Sequence, residues 1–328
     1  MTRIAIIGAG IAGLTLARQL ADHAHVTVFE KSRGSGGRMA TRSAPPYAFD
    51  HGAQFFTAKS EAFQAQVAEW IEIGIVRSWN ARFAEFERDK IVATRNWDDI
   101  RPHYVGVPGM NHIGKHLAKD IDVKLNTHVM PLQRSGDHWQ LRTDSDEELG
   151  RFDWVISTAP AAQTAELMPD CSFKPAVKTA QMLGCCALML GFPETATPPI
   201  DWQAALVREA DISWVSVNSS KPGRAAAFSM VVHSTNSFAE ARLHDDMADV
   251  QAHLLQELQL VTGIDTDTAD HSTLHRWRYA NIPQQNGEPA LLDPEQKIGA
   301  CGDWLIHGRV ESAFLSGLQM AASIRKLL

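Results

Sequence analysis

The first thirty residues constrain the fold of this chain more than any other stretch. The apolar run 4–7 predicts a short buried parallel strand, and a G-x-G-x-x-G pattern follows it at Gly8, Gly10 and Gly13. A helical apolar face comes next, and a second strand ends at Glu30. This order of strand, glycine turn, helix, strand and acid is typical of a βαβ unit that binds a dinucleotide.

Each residue of this unit has an expected role. Gly8 permits the tight turn, Gly10 lets the backbone approach a pyrophosphate, and Gly13 lets the helix pack closely on the strand. The first helical turn, which includes Ala12, offers free N–H groups and a positive dipole end to the phosphates. Glu30 is expected to hold the ribose hydroxyls. The alternative, that these are ordinary turn glycines, does not account for the strand, helix and acid around them.

Composition narrows the class of protein. The 328 residues are enough for two domains, and the net charge of −7 argues against non-specific nucleic-acid binding and against a polybasic membrane anchor. No stretch reaches the roughly 18 apolar residues that span a bilayer. The four cysteines have no metal-ligand spacing, so no metal site is expected. The cysteines are expected to be reduced thiols, and the short N-terminal apolar run is expected to be a buried strand rather than a signal peptide. Both expectations predict a cytoplasmic protein.

A loop rich in glycine and arginine follows Glu30 directly. It spans residues 31–42 and includes Lys31, Arg33 and Arg38 among three glycines. Such a sequence cannot form a regular element, but its backbone can bend around an anion while its cations face it. A solvated flexible loop is the alternative. Its position behind the glycine turn favours a second contact with the diphosphate, and Lys31 and Arg38 are the candidates.

Three further motifs carry a family resemblance. The R-x-x-G-G-R pattern at 33–38, the D-x-G segment at 50–57 and the Gly302-Asp303 pair before a V-E-x-A helix start at Val310 resemble the flavoprotein amine-oxidase superfamily. The resemblance implies FAD rather than NAD in the first Rossmann unit. It also implies the roles of individual residues: Gln54 and Phe55 beside the isoalloxazine ring, Asp303 on a ribityl hydroxyl, and Val310 at the pyrimidine end of the flavin. By the same resemblance Val129 offers backbone groups to the adenine; a plain core role for Val129 is equally supported.

The expected fold is an α/β architecture. It consists of a discontinuous Rossmann-type FAD-binding domain, similar to p-hydroxybenzoate hydroxylase and amine oxidases, and a mixed, mainly antiparallel β-sheet substrate domain. The FAD-binding domain is expected to comprise residues 1–60, 105–165 and 290–328, and the substrate domain residues 61–104 and 166–289. Apolar spacing predicts a helix over 60–76, a strand over 123–129 and one long helix over 237–262.

Departures from the amine-oxidase pattern bear on the substrate. Arg309 stands just before the V-E-x-A segment, where amine oxidases place a member of an aromatic cage, and a guanidinium suits an anionic partner better than a free amine. The strings at 50–57 and 275–280 resemble the renalase branch of the superfamily. That resemblance implies a non-covalent FAD oxidase. Its substrates would be the 2- and 6-dihydro isomers of NAD(P)H, with β-NAD(P)⁺ as the product and dioxygen reduced to hydrogen peroxide.

The substrate-binding residues predicted beside the flavin are Phe56, Thr57, Ala58, Lys59, Ser60, Asn96, Trp97, Asp98 and Arg309. For Asn96 and Trp97, a turn and a core aromatic are at least equally supported, and Trp277 and Tyr279 fit a core role as well as a pocket role. No side chain is assigned a catalytic role, because hydride transfer to a flavin can rely on positioning alone. Two other functions stay open: a flavin amine oxidase or desaturase, and a flavin-binding protein without turnover. The sequence indicates no oligomeric state.

Overall fold

The computed structural model describes residues 1–328 and contains twenty strands and eight helices. The strands are β1 Arg3–Ile7, β2 His25–Phe29, β3 Thr41–Ala44, β4 Tyr47–Asp50, β5 Val76–Ser78, β6 Arg82–Glu87, β7 Lys90–Asn96, β8 Tyr104–Gly106, β9 Asp122–Lys124, β10 Gln133–Ser135, β11 His138–Arg142, β12 Glu148–Phe152, β13 Trp154–Ser157, β14 Leu183–Gly191, β15 Ala204–Arg208, β16 Ile212–Val217, β17 Ser229–Ser234, β18 His271–Asn281, β19 Ala290–Asp293 and β20 Ile298–Cys301. The helices are α1 Ile11–Leu20, α2 Glu61–Glu72, α3 Asn111–Leu117, α4 Ala161–Leu167, α5 Lys174–Thr179, α6 Asn236–Ala241, α7 Met247–Thr262 and α8 Val310–Arg325.

A six-stranded sheet carries the N-terminal βαβ unit. Its strand order is β19-β20-β13-β1-β2-β9, and every neighbouring pair is parallel except β19 with β20. Ile4, Ala5 and Ile6 of β1 have no exposed surface, which explains the unbroken apolar run in this strand. The strands come from both ends and the middle of the chain, so the expected Rossmann-like unit is confirmed.

Helices α1 and α8 pack together beside this sheet. A Cβ atom at Gly317 of α8 would overlap the carbonyl oxygen of Ala12 in α1, so the two backbones approach closely only because residue 317 is glycine. Met320 and Ile324 of α8 are fully buried in the same core cluster as Leu14 of α1. The C-terminal helix is therefore an integral part of the dinucleotide-binding half.

The second large sheet has seven strands in the order β18-β14-β17-β16-β15-β6-β7. Its pairs are antiparallel apart from the parallel pair β15–β6, which confirms the expectation of a mixed, mainly antiparallel sheet. Helix α7 contributes Val250, Leu254 and Leu258 to the core cluster that this sheet shares with it. A β3–β4 hairpin, a β5–β8 pair and a three-stranded β10–β12 sheet complete the fold.

Three predicted elements differ in extent from the structure. The region 237–262 is two helices, because the chain leaves α6 after Ala241 and Asp246 then accepts a hydrogen bond from the Ala248 amide to cap α7. The predicted strand at 123–129 ends with β9 at Lys124, where the chain turns through the positive φ of Asn126. The helix predicted to reach residue 76 stops at Glu72.

The domain division given above remains a prediction, and one core cluster crosses it. Phe63 and Trp70 of α2 lie in the cluster that contains α8, and the Phe63 and Phe314 rings are 5.1 Å apart. Helix α2, expected in the substrate domain, therefore packs against the dinucleotide-binding half.

Candidate cofactor and active site

The glycine turn has the geometry of an open anion cradle. Gly8 adopts a φ of 111°, and its amide donates to the carbonyl of Phe29 at 2.7 Å. A Cβ at Gly13 would overlap the Gly8 carbonyl oxygen, whereas a Cβ at Gly10 would meet nothing within 4 Å. No side chain caps the N-terminus of α1. The first helical turn, with buried Ala12, is thus free to bind a phosphate.

Glu30 stands immediately after β2, and its carboxylate is held by the backbone. It accepts hydrogen bonds from the amides of Ala9 and Ser32, each at 2.8 Å. Glu30 as a whole residue is 8% exposed, whereas the neighbouring Lys31 is exposed. These bonds fix the carboxylate beside the glycine turn, and Glu30 keeps acceptor capacity for ribose hydroxyls.

Arg38 and Asp303 come together although 265 residues separate them in the chain. The guanidinium makes two hydrogen bonds to the carboxylate, one of them at 2.8 Å, and a third to the carbonyl of Ala280 at 2.9 Å. The pair joins the glycine–arginine loop to the C-terminal motif and to the end of β18. Their proposed contacts with the diphosphate and the ribityl chain stay predictions, because each group is engaged by the other.

These features fit an FAD molecule. The open Gly10 cradle and uncapped helix start suit a diphosphate, and the fixed carboxylate of Glu30 suits a ribose. The Val129 side chain belongs to the core cluster that contains Phe29, so any adenine contact rests with its backbone. Val310 is the first residue of α8. Both positions remain predicted cofactor contacts.

The side chain of Gln54 is fully engaged within the protein. Its oxygen accepts from Ser216 Oγ at 2.7 Å and from Lys221 Nζ at 3.0 Å. Its nitrogen donates to the carbonyl of Gly52 at 3.0 Å and to that of Asp50. A carboxamide has two donors and two acceptor sites, so no side-chain atom of Gln54 is left for a cofactor. Only its backbone can serve the predicted flavin contact.

A buried charge cluster, missed by the sequence analysis, lies behind Gln54. It consists of Asp50, Lys221 and Arg224, whose side chains are at most 2% exposed. Asp50 also accepts from Thr41 Oγ1 at 2.7 Å and from the Met110 amide at 3.0 Å. The cluster ties the 50–57 segment to the loop after β16. In the sequence, the two cations of this cluster lie in the short segment 218–224, which has no periodic pattern that would indicate their burial.

Burial and charge act in opposition within this cluster. Burial, together with a smaller effect of the nearby Arg224, outweighs the opposing effect of Asp50 and lowers the pKa of Lys221 to about 8. Burial would raise the pKa of Asp50, but Lys221 and Arg224 together hold it below its usual value. Two cations thus share one carboxylate in a site without solvent.

The predicted residues Phe55 and Trp97 belong to an aromatic cluster. The Trp97 and His103 rings stack with centroids 3.7 Å apart, and Phe55 contacts Trp97, His103 and Trp214 at 4.9 to 5.4 Å. Trp97 is 7% exposed and lies in the core cluster, so it is a core aromatic, the alternative given above. Burial lowers the pKa of His103, which favours its neutral form.

The flanking residues Asn96 and Asp98 are exposed. The Asp98 carboxylate accepts from the Ile100 amide at 3.0 Å and so stabilises a surface turn. Phe56 is 4% exposed and packs against Phe63 and Tyr104. The structure therefore assigns Phe56 and Trp97 to the core, and the substrate role of all four stays a prediction.

The structure brings the segment 57–60 to the start of α8. The Glu311 carboxylate accepts from the amide of Ser60 at 2.7 Å and from that of Lys59 at 3.1 Å. The Ser60 hydroxyl in turn caps α2. Arg309, the N-cap residue of α8, is exposed; its guanidinium bonds only to the carbonyl of Gly308, at 3.2 Å. The predicted substrate segment 57–60 therefore lies close to Arg309, the predicted substrate residue at the start of α8. Thr57 and Ala58 of this segment are half-buried.

Two structural observations concern other classes of site. No group of three or more His, Cys, Asp or Glu side chains is arranged to hold a metal ion. None of the eight helices combines the length and the apolar character needed to cross a bilayer.

Solved structures similar to this chain share its whole fold. A putative protoporphyrinogen oxidase from Exiguobacterium sp. 255-15 superposes with a TM-score of 0.79 at 14% identity, covering 100% of this chain and 99% of that one. A triple mutant of putrescine oxidase superposes with a TM-score of 0.73 at 13% identity, covering 100% of both chains. At these identities the likeness concerns the fold alone.

Similarity in sequence is more local. A 4,4'-diapophytoene desaturase of Staphylococcus aureus (strain Newman) is 45% identical over 51 residues, which are 15% of this chain and 10% of that protein. Residues 6–70 match the profile of the NAD(P)-binding Rossmann-like domain. Residues 80–325 match the profile described as flavin containing amine oxidoreductase. Because that match covers more than half of the 328 residues, this chain belongs to the flavin containing amine oxidoreductase family.

Proposed function

We propose that this protein is an FAD-dependent oxidase that converts the 2- and 6-dihydro isomers of NAD(P)H to β-NAD(P)⁺. Family membership implies a flavin cofactor. When bound, FAD would supply the redox chemistry, namely the net transfer of one hydride from the dihydronicotinamide to dioxygen, which with one proton from solvent gives hydrogen peroxide. The protein's own task is to bind the dinucleotide, orient its ring and exclude competing substrates.

Arg309 is the observation that carries this proposal. It is the N-cap residue of α8, at the place where amine oxidases have a cage aromatic, and it makes no ion pair with any acid of the chain. The nearest acid in sequence, Glu311, is engaged by the amides of Lys59 and Ser60. An unpaired guanidinium repels a protonated amine and attracts a carboxamide oxygen or a phosphate. This supports a dinucleotide over a free amine.

We propose cofactor contacts that combine the open glycine turn with the residues implied by the family resemblance. Gly8, Gly10, Ala12 and Gly13 would hold the diphosphate, and Glu30 a ribose. Lys31, Arg38, Gln54, Phe55, Val129, Asp303 and Val310 would complete the site. Non-covalent binding is supported by the thiols: burial raises the pKa of Cys185 and Cys301 to about 12 and also raises those of Cys171 and Cys186. None is a ready nucleophile toward the flavin.

Anaerobic mixing tests the proposal. The holoenzyme is mixed with 6-dihydroNAD, 2-dihydroNAD, ordinary β-NADH or putrescine, and the oxidised-flavin absorbance is followed. We expect rapid bleaching by a dihydro isomer, slow or no bleaching by β-NADH and putrescine, and on admission of air one hydrogen peroxide per turnover. Bleaching by the amine alone would establish the amine-oxidase alternative. A flavin that no compound reduces would favour the alternative without turnover.

A pair of variants tests whether Arg309 binds the substrate. Arg309→Ala removes one charge-assisted contact from an exposed position, so the KM for the isomer should rise about five- to tenfold while flavin content stays constant. Arg325→Ala, at the other end of α8, is the matched control and should change neither quantity. An unchanged KM in Arg309→Ala would contradict the role proposed for this residue.

A further inference from the structure

The β3–β4 hairpin lies against one face of strand β18. Arg42 of β3 pairs with Phe49 of β4, so their side chains project from the same side of the hairpin. The Phe49 ring stacks on His271 of β18 with centroids 5.3 Å apart, and the next residue of the same parity in the hairpin, His51, stacks on Trp277 at 5.2 Å. The hairpin and β18 therefore face each other along much of their length.

Strand β18 presents two chemically different faces. Leu274 belongs to the core cluster under α7, and Arg276 donates to the carbonyls of Leu243 and Asp245, each at 2.9 Å. The alternate residues His275, Trp277 and Tyr279 are half-buried and lie on the side of the hairpin. A strip of flat side chains thus lines this side of an edge strand.

Several polar groups on this side have no partner within the protein. The half-buried Arg42 guanidinium makes neither a hydrogen bond nor an ion pair, and the half-buried side chains of His275 and Tyr279 make no hydrogen bond. Trp277 uses its one donor on the carbonyl of His51, at 2.9 Å. The Arg42 guanidinium is reachable from solvent and free to bind an anionic ligand through charge-assisted hydrogen bonds.

The charges around Arg42 leave its own charge uncompensated. Burial, His275 and Arg42 together lower the pKa of His51 to about 4, and burial and Arg42 lower that of His275. Both imidazoles are therefore neutral at physiological pH. The nearby acids are engaged elsewhere: Asp270 accepts from the Tyr47 hydroxyl at 2.7 Å, and Asp50 binds the buried cations described above.

This surface continues into the cofactor site. The strip ends next to Ala280, whose carbonyl accepts from Arg38 in the Arg38–Asp303 pair. A ligand with its reacting ring at the flavin can therefore extend along β18 towards Arg42. The chemistry it would meet is a guanidinium, neutral imidazoles and the faces of aromatic rings, which suits a diphosphate joined to a flat base.

We propose that Arg42, with His275 and Trp277, binds the adenosine-diphosphate half of the substrate dinucleotide. The inference rests on the proposed function. Arg42 holds the diphosphate as a charge-assisted contact, and Trp277 and His275 offer ring surface and a polar edge to the adenosine. This site affects only the affinity for the dinucleotide, because it does not bind the nicotinamide ring that gives up the hydride.

Two substrates of different length test the proposal. The first is 6-dihydroNAD; the second is the corresponding dihydronicotinamide riboside, which has the same reacting ring but no diphosphate. We expect Arg42→Ala to raise the KM for the dinucleotide about tenfold, to leave its kcat unchanged and to leave the riboside kinetics unchanged. Arg42→Lys should restore part of the affinity. Arg278→Ala, an exposed arginine on the opposite face of the same strand, is the matched control.

The outcomes separate this inference from the proposed function. Equal effects of Arg42→Ala on both substrates, or none on either, overturn the diphosphate site. If neither compound reduces the wild-type flavin, the proposed function is wrong, and titration of the holoenzyme with ADP-ribose decides the site independently. Binding about tenfold weaker in Arg42→Ala than in wild type then supports an adenosine-diphosphate site, and equal or absent binding overturns it.

Discussion

Replacing Lys221 with methionine should change how the stability of this protein depends on pH. Lys221 has no exposed side-chain surface, and its ammonium donates to Gln54 Oε1 at 3.0 Å and to Asn218 Oδ1 at 3.1 Å. It shares Asp50 with Arg224, so folding buries two cations and one anion. Methionine keeps a similar volume and removes one of the two positive charges.

The expected size of the effect follows from the pKa of Lys221. Its value of about 8 in the folded protein is below the 10.5 of the unfolded chain. Between these pH values the unfolded chain binds a proton that the folded protein does not, so the free energy of unfolding rises with pH. The difference corresponds to about 3 kcal/mol in total. The Asp50 pKa is lowered instead, so its contribution is complete well below pH 7 and adds no slope here.

Urea unfolding followed by tryptophan fluorescence, at several pH values between 7 and 10.5, measures this effect. Other titrating groups cancel in the difference between wild type and Lys221→Met. We expect the wild type to gain about 3 kcal/mol over the variant across this range. At pH 7 the two should agree within about 1 kcal/mol, because loss of two hydrogen bonds offsets the relief from burying a charge.

Asp50→Asn is the matched comparison. It keeps the shape of the side chain but leaves Lys221 and Arg224 buried without a counter-charge, which should cost about 3–5 kcal/mol at pH 7. Parallel pH profiles for wild type and Lys221→Met would refute the reasoning, since they would mean that Lys221 titrates alike in the folded and unfolded chains. A mild Asp50→Asn would refute the assigned role of the carboxylate.

Three further outcomes follow from close packing and burial. Gly317→Ala should lower the free energy of unfolding by about 1–3 kcal/mol, because its Cβ would overlap with α1; thermal unfolding measures this. The control Gly287→Ala, where a Cβ meets nothing within 4 Å, should leave the free energy of unfolding unchanged. Glu311→Gln should speed hydrogen exchange at the two backbone amides that its carboxylate accepts, at a cost of about 1 kcal/mol; unchanged exchange would refute the contact. Cys301 in the native holoenzyme should resist iodoacetamide at pH 8, and mass spectrometry should find free FAD after denaturation.

The dinucleotide-binding half was predictable because its signals are local. Gly8, Gly13 and Glu30 occupy a continuous segment, and each has a backbone reason for its identity that does not depend on the rest of the chain. The mixed, mainly antiparallel character of the second sheet was also expected. The exception was the region 237–262, where a cap at Asp246 interrupts a pattern that reads as continuous.

The site was less predictable because tertiary contacts decide it. Nothing in the string 218–224 indicates that Lys221 is fully buried, since its burial arises from Asp50 and Gln54, which are more than 160 residues away. The same contacts engage the Gln54 side chain, which sequence alone offered to the flavin. Arg42 is the last residue of the cationic loop 31–42, and only the packing of the β3–β4 hairpin against β18 shows that its guanidinium has no partner.

The assembly of the six-stranded sheet from distant segments has a consequence for synthesis on the ribosome. Helix α8 packs on α1, which is made almost 300 residues earlier, and strand β20 pairs with β13, which is made about 140 residues earlier. Strand β13 therefore keeps an unpaired edge until residue 301 has left the exit tunnel, and α1 keeps an uncovered face until residue 325 has done so. Dinucleotide affinity should therefore appear late and in one step. Until then the nascent chain exposes a parallel strand edge, which makes this protein a candidate for chaperone protection during translation.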